Sequence, residues 1–227
     1  NGYTRMTQPL AYELVIFDWD GTIVDSTPTI TQAILSACED IGIAVPARED
    51  ASYVIGLGLQ DALSRVAPNI TVAQQAQLTE RFRFHYLARD QMLQPFDGIT
   101  KMLSDLKTQG LPLAVATGKS RAGLERAWDA TGTRQYFETS RCADETDPKP
   151  APTMVLEICE ELAISPDNVL VIGDTTHDIL MAQSAGADAM AVGYGAHRKE
   201  DLLRANPLGC MHSVNELHNW ITTWLVK

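Results

Sequence analysis

The sequence predicts an α/β fold in which a parallel sheet forms the core and an all-helical segment is inserted close to the N-terminal end. Three observations carry this. Short apolar runs recur along the chain, each separated from the next by a helical pattern, which is the rhythm of βα units and parallel strands. The runs stop abruptly at polar residues rather than fading out. One stretch, residues 23–93, carries helical patterns and no such run.

The first run, Leu14 to Phe17, suits a strand buried on both faces and is too short for a helix. It stops at Asp18, and Asp20 follows two residues later. Side chains alternate in extended backbone, so both carboxylates are expected to face one spot at the strand's exit. At about 4 Å they would repel by roughly 4 kcal/mol at an effective dielectric near 20, so a cation or a shared proton has to offset them. Gly21 lets the chain turn, and Thr22 adds a hydroxyl beside the pair.

A helix follows, with Ser26 or Thr27 as N-cap, Pro28 in its first turn, and Ile30, Ala33, Ile34, Ala37 and Ile41 as its apolar stripe up to Gly42. Further helices are expected around Ala51 to Ile55, Gln60 to Val66 and Thr71 to Arg89. Ile55-Gly56-Leu57-Gly58-Leu59 is an apolar loop with two flexible points. Residues 23–93 are thus expected to form a helical cap domain, and residues 1–22 and 94–227 the core domain.

Behind the Pro95-Phe96-Asp97-Gly98 turn, Ile99, Met102, Leu103 and Leu106 mark a helix face closed by Gly110. The strand from Leu111 to Ala116 exits into Thr117-Gly118-Lys119-Ser120. A helix around Arg121 to Ala130 and a strand near Phe137 to Cys142 come next. Pro148, Pro150 and Pro152 then stiffen the loop that carries Lys149, because each fixes its own φ and restricts its predecessor. The helix from Thr153 to Ala163 leads to the strand Asn168 to Ile172, which exits into Gly173-Asp174-Thr175-Thr176-His177-Asp178. A helix from Ile179 to Ala185, a strand from Ala187 to Val192, a short strand near Cys210 to Val214 and a helix from Glu216 to Leu225 complete the pattern. Right-handed crossovers then make the core a Rossmann-like parallel sheet.

Hydrophobic content of 45% and charged content of 21% are those of an ordinary globular protein. A formal net charge of -11 and a pI near 4.8 leave no basic stripe for a nucleic-acid backbone. No apolar run approaches the roughly 20 residues of a membrane span, and Asn1-Gly2-Tyr3-Thr4-Arg5 lacks a signal-peptide core. The first residue is Asn1 rather than Met, which suggests trimming or added residues, with Met6 as the native start. Cys38, Cys142, Cys159 and Cys210 are scattered without metal or disulfide spacing and read as reduced, buried thiols of a cytoplasmic protein. The sequence favours neither a monomer nor a dimer.

Ligands of open parallel sheets bind beyond the carboxyl ends of the strands, where every singled-out polar group lies. If the three strands are neighbours, Asp18, Asp20, Thr117, Lys149, Asp174 and Asp178 share one small volume. Such a set of hard oxygen donors suits Mg2+. His177, by contrast, reads as a bystander.

Asp18-Trp19-Asp20-Gly21-Thr22-Ile23-Val24-Asp25-Ser26, Thr117-Gly118-Lys119, Asp147-Pro148-Lys149-Pro150 and Gly173-Asp174-Thr175-Thr176-His177-Asp178 together closely resemble the haloacid dehalogenase superfamily. The helical insertion after the first strand is similar to that of its phosphoglycolate phosphatase-like branch. Trp19 stands where Phe is more usual. The resemblance implies a phosphatase acting on a small-molecule phosphate ester. Asp18 would be the nucleophile and Asp20 the acid and base. Asp18, Asp174 and the main-chain carbonyl of Asp20 would hold magnesium. Thr117, Gly118 and Lys149 would hold the phosphoryl group, Asp178 would position Lys149 or a metal-bound water, and Gly56 and Leu57 in the cap loop would contact the substrate. Two other readings gather similar residues. A phosphomutase of the β-phosphoglucomutase type places basic residues in the cap loop, whereas residues 54–60 contain none. A phospho-accepting signalling module is about half this length and has no lid.

Overall fold

Strands β1 (Leu14–Phe17), β2 (Leu113–Thr117), β3 (Thr139–Cys142), β4 (Val169–Gly173), β5 (Asp188–Val192) and β6 (Cys210–Met211) form one sheet in the order β3-β2-β1-β4-β5-β6, with every pairing parallel. The computed structural model describes residues 12–225, so the expected start at Met6 lies outside the described residues. Each residue of β1, β2 and β4 is buried, which is why these strands read as unbroken apolar runs.

Alternate residues of the runs serve opposite faces. Val15, Phe17, Leu113, Val115, Leu170 and Ile172 pack in one cluster with α5 (Ile99–Thr108), α6 (Arg121–Thr131) and α10 (Val214–Trp224). Leu14, Ile16, Ala114, Ala116, Val169 and Val171 pack on the other face with α7 (Thr153–Leu162), α8 (Thr176–Ala185) and α9 (Lys199–Arg204). A third cluster belongs to α1 (Thr27–Asp40), α2 (Arg48–Tyr53), α3 (Leu59–Val66) and α4 (Val72–Leu87), with Ile34, Cys38, Leu63, Leu78 and Phe82 buried inside it. These four helices form a layer with its own apolar interior, set against the carboxyl ends of the strands.

The differences from the sequence reading have local causes. Strand β6 stops at Met211 because Ser213 turns the chain and caps α10, its hydroxyl accepting the Glu216 N–H at 3.1 Å. Helix α9 was not anticipated, being short, with Leu202 as its one buried residue and hence no readable stripe. Helix α2 ends at Tyr53, so Val54 and Ile55 belong to the loop before α3. No helix among the described residues is long and apolar enough to cross a membrane.

Candidate active site

Because β2, β1 and β4 lie side by side, Thr117, Asp18 and Asp174 leave the sheet together. Lys149 reaches this point from its proline-bounded loop and is fully buried. Its Nζ donates to Asp18 Oδ1 at 2.7 Å and to Asp178 Oδ1 at 2.7 Å. Asp178 is fixed at its other oxygen by the Thr175 N–H at 3.1 Å and the Thr175 hydroxyl at 2.7 Å, in the reciprocal cap that starts α8. Thus Thr175 caps α8, and Asp174 is left to face the site.

Asp174 accepts the Thr22 hydroxyl at 3.0 Å and the Ala196 N–H at 2.7 Å. Thr22 therefore serves Asp174 rather than the Asp18 and Asp20 pair. Gly21 stands where any Cβ would collide with the Asp174 carboxylate, and its φ of +79° is in the left-handed region, so both space and backbone require glycine there.

Asp18 and Asp20 have separate hydrogen-bond partners. Past Asp18 the chain leaves extended geometry, with the Trp19 carbonyl accepting the N–H groups of Thr22, Ile23 and Val24, so strict alternation no longer holds. Asp20 Oδ1 accepts the Ser26 hydroxyl at 2.7 Å, and both Asp20 oxygens lie 3.4 Å from Lys119 Nζ. Ser26 thereby occupies the N-cap position of α1 without capping it through its side chain.

The carboxylates of Asp18, Asp174 and Asp178 each offer an oxygen within 4.8 Å of the others. Burial, and then the charge of Asp178, push the Asp18 carboxyl well above its ordinary value despite Lys149. The same two causes raise Asp174 to about 7, against the hydrogen bonds from Ala196 and Thr22. Burial would raise Asp178 as well, but the charge and hydrogen bond of Lys149 hold it below the usual range. Asp18 Oδ2 is buried and has no hydrogen-bond partner among the described residues. An orphaned carboxyl oxygen beside two further buried acids is a donor set that fits a hard divalent cation.

The helical layer meets this site at its loop. A Cβ on Gly118 would stand 2.5 Å from the main-chain oxygens of Gly56 and Leu57, so these segments touch backbone to backbone. A Cβ on Gly56 would come within 3.9 Å of Asp18 Oδ2. Beside the contact lies a cavity of about 720 Å³, bounded by Asp20, Gly118 and Lys119 from the core and by Gly56, Leu57 and Tyr86 from the layer. Thr117 is fully buried, and its hydroxyl accepts the Lys119 N–H at 3.1 Å.

Residues that the sequence reading passed over join the two parts. Lys119 Nζ donates to the Tyr86 hydroxyl at 2.6 Å. His177 Nε2 and His197 Nε2 donate to the Tyr53 carbonyl at 3.0 and 2.7 Å, and His197 stacks on the Tyr53 ring at 4.3 Å. His197 Nδ1 accepts the Thr176 N–H, which places its proton on Nε2. His177 therefore fastens the layer to the core through the Tyr53 carbonyl. Lys119 was legible as the third residue of Thr117-Gly118-Lys119, whereas nothing in the local sequence marks His197 or Tyr86.

Residues 15–192 match the family model described as haloacid dehalogenase-like hydrolase. The chain belongs to that family. It is 33% identical over 210 residues to the probable phosphatase IndB of Dickeya dadantii, covering 90% of this chain and 91% of that protein. It is 31% identical over 198 residues to the phosphoglycolate phosphatase of Thiobacillus denitrificans, covering 84% and 87%. A hydrolase structure from Pseudomonas syringae superposes with a TM-score of 0.84 at 23% identity, over 93% of this chain and 98% of that one, a likeness of fold. This haloacid dehalogenase-like hydrolase is thus similar along most of its length to proteins named as phosphatases.

Proposed function

We propose that this hydrolase cleaves a small phosphomonoester in a magnesium-dependent reaction through an aspartyl-phosphate on Asp18. The observation that carries the reading is the Asp18 carboxylate itself, with one oxygen pinned by Lys149 and the other buried and unpaired. The Asp18 carboxylate attacks phosphorus as the bond from phosphorus to the leaving oxygen breaks, and Asp20, entering as the acid, delivers its proton to that oxygen. Asp20 then takes a proton from the water that attacks the acyl phosphate, which frees phosphate and regenerates Asp18. Thr117 and Lys149 hold the phosphoryl oxygens, and Asp178 keeps Lys149 in place. Ser26 and Lys119 orient the Asp20 carboxylate.

Asp18, Asp174 and the Asp20 main-chain carbonyl would hold the magnesium ion. Bound there, it would neutralise charge between the nucleophile and the phosphoryl group. Residues 23–93 act as a cap over the core formed by residues 1–22 and 94–227, and the Gly56-Leu57 loop excludes water from the site. A cytoplasmic location fits the four cysteines, which are free and buried.

The test follows phosphate release from p-nitrophenyl phosphate with magnesium, after its removal by EDTA, and after its return. Steady turnover that disappears and comes back is expected. Stoichiometric phosphorylation without turnover would point to a phospho-accepting module, and interconversion of sugar phosphates to a mutase.

A further inference from the structure

On the phosphatase reading, the cavity beside Asp20 receives the leaving group of the ester, so its chemistry describes that group. About 720 Å³ is within the range of sites that enclose a drug-sized ligand, and a two-carbon alcohol would leave most of it unfilled. The larger part of the wall is apolar. Ile30 comes from α1 and Leu59 from the start of α3, both half-buried, while Phe82 and Tyr86 on α4 stack with ring centroids 5.7 Å apart and planes 6° from parallel.

The charged groups offer little to a second anion. Lys119 is engaged by Asp20 and Tyr86, and Arg126 donates to Asp90 at 3.0 Å. Arg83 has no ion pair among the described residues, but it is exposed and also borders the outer groove beyond Gln60, so it stands at the rim. The acids Asp20, Asp61 and Asp144 line the same space. A leaving group such as glycolate would put its carboxylate close to phosphorus, at the Asp20 end, where Lys119 is already engaged. An anion desolvated there without a partner is costly.

We propose that the substrate is the phosphate monoester of an uncharged, ring-bearing alcohol, its ring packed against the part of the cavity wall formed by Ile30 and the Phe82 and Tyr86 pair. Discrimination of this kind comes from apolar contact and has no counterpart for a short carboxylated alcohol, since one methylene in an apolar pocket already changes kcat/KM by about 10-fold or more.

The experiment measures kcat/KM in magnesium for benzyl phosphate, ethyl phosphate and 2-phosphoglycolate, all esters of alcohols. Benzyl phosphate is expected to exceed each of the others by at least about 10-fold. Equal or better turnover of 2-phosphoglycolate would overturn the inference and leave the phosphatase reading standing. Failure of all three esters would overturn the phosphatase reading and the inference with it. Ile30→Phe, which fills the aliphatic wall, is expected to lower the ratio of benzyl to ethyl phosphate turnover at least about threefold. An unchanged ratio in a variant that still turns over ethyl phosphate would overturn the placement of the ring.

Discussion

The strand ends and the helical layer solve opposite problems. At the strand ends, Asp18, Lys149, Asp174 and Asp178 are all buried, and almost every polar atom has a named partner, so each side chain has one position. Across the cavity the layer presents mostly hydrocarbon, whose contacts fix neither direction nor partner. The contrast teaches where each kind of information resides. Phosphoryl chemistry requires charges at set places, whereas selection of the leaving group requires only a shape and the absence of surplus charge.

The largest expected effect tests the strand-end half of this contrast. Asp18→Asn keeps the shape of the side chain and removes the anion proposed to attack phosphorus, while Lys149 retains Asp178. Turnover should fall by about 10⁴-fold or more, with the circular dichroism spectrum unchanged. A variant that kept a tenth of its activity would move the nucleophile elsewhere. Next in size is Asp20→Asn. It retains a partner for the Ser26 hydroxyl but has no proton to give or take, so kcat should drop by about 10²–10⁴-fold. A smaller loss for a substrate with a very good leaving group, such as p-nitrophenyl phosphate, would sharpen the acid role, because that group leaves with little help.

The same contrast governs what the sequence made legible. Leu14 to Phe17, Leu111 to Ala116 and Asn168 to Ile172 were readable as strands because burial on both faces demands unbroken apolar runs, and the polar residue ending each run then fell at the sheet's carboxyl edge. Lys149 was legible through its prolines. Ser26 was read only as a helix cap, since its bond to Asp20 depends on how the chain turns after Trp19. His197 meets Tyr53, 144 residues away, and Tyr86 meets Lys119 across the seam between layer and core. Long-range pairings of this kind leave no periodic trace. A carboxylate at a strand end is a local signal, and a contact between two separately folded surfaces is not.

That seam yields a third, intermediate effect. Gly118→Ala would drive a Cβ into the main-chain oxygens of Gly56 and Leu57, atoms that no rotamer can move aside. The clash lies between two packed bodies rather than within either, so the layer should stand off from the core while both keep their interiors. A displacement near 1 Å at a reacting centre costs about 10²-fold, and kcat/KM should fall by that order with little change in melting temperature. Full activity would show that the loop need not approach the site and would remove the water-excluding role proposed for the layer.

The smallest effect is also the most discriminating, because Tyr86 belongs to the layer while its hydroxyl touches the core. Tyr86→Phe keeps the stack on Phe82 and the ring beneath Lys119 Nζ, 4.8 Å from its centroid, and removes only the hydroxyl bonded at 2.6 Å. Lys119 retains both Asp20 oxygens, so its ammonium is not stranded. A hydrogen bond to a charged group is worth about 1.5–3 kcal/mol net, and partial replacement by water or by Asp20 should reduce the loss to about three- to tenfold in kcat. If the layer supplies shape alone, the deficit should be the same for benzyl and ethyl phosphate, since it acts through Lys119 on Asp20. A deficit as large as that of Asp20→Asn would make Tyr86 part of the chemistry, and the division between a catalytic edge and an apolar cover would fail at the residue that spans both.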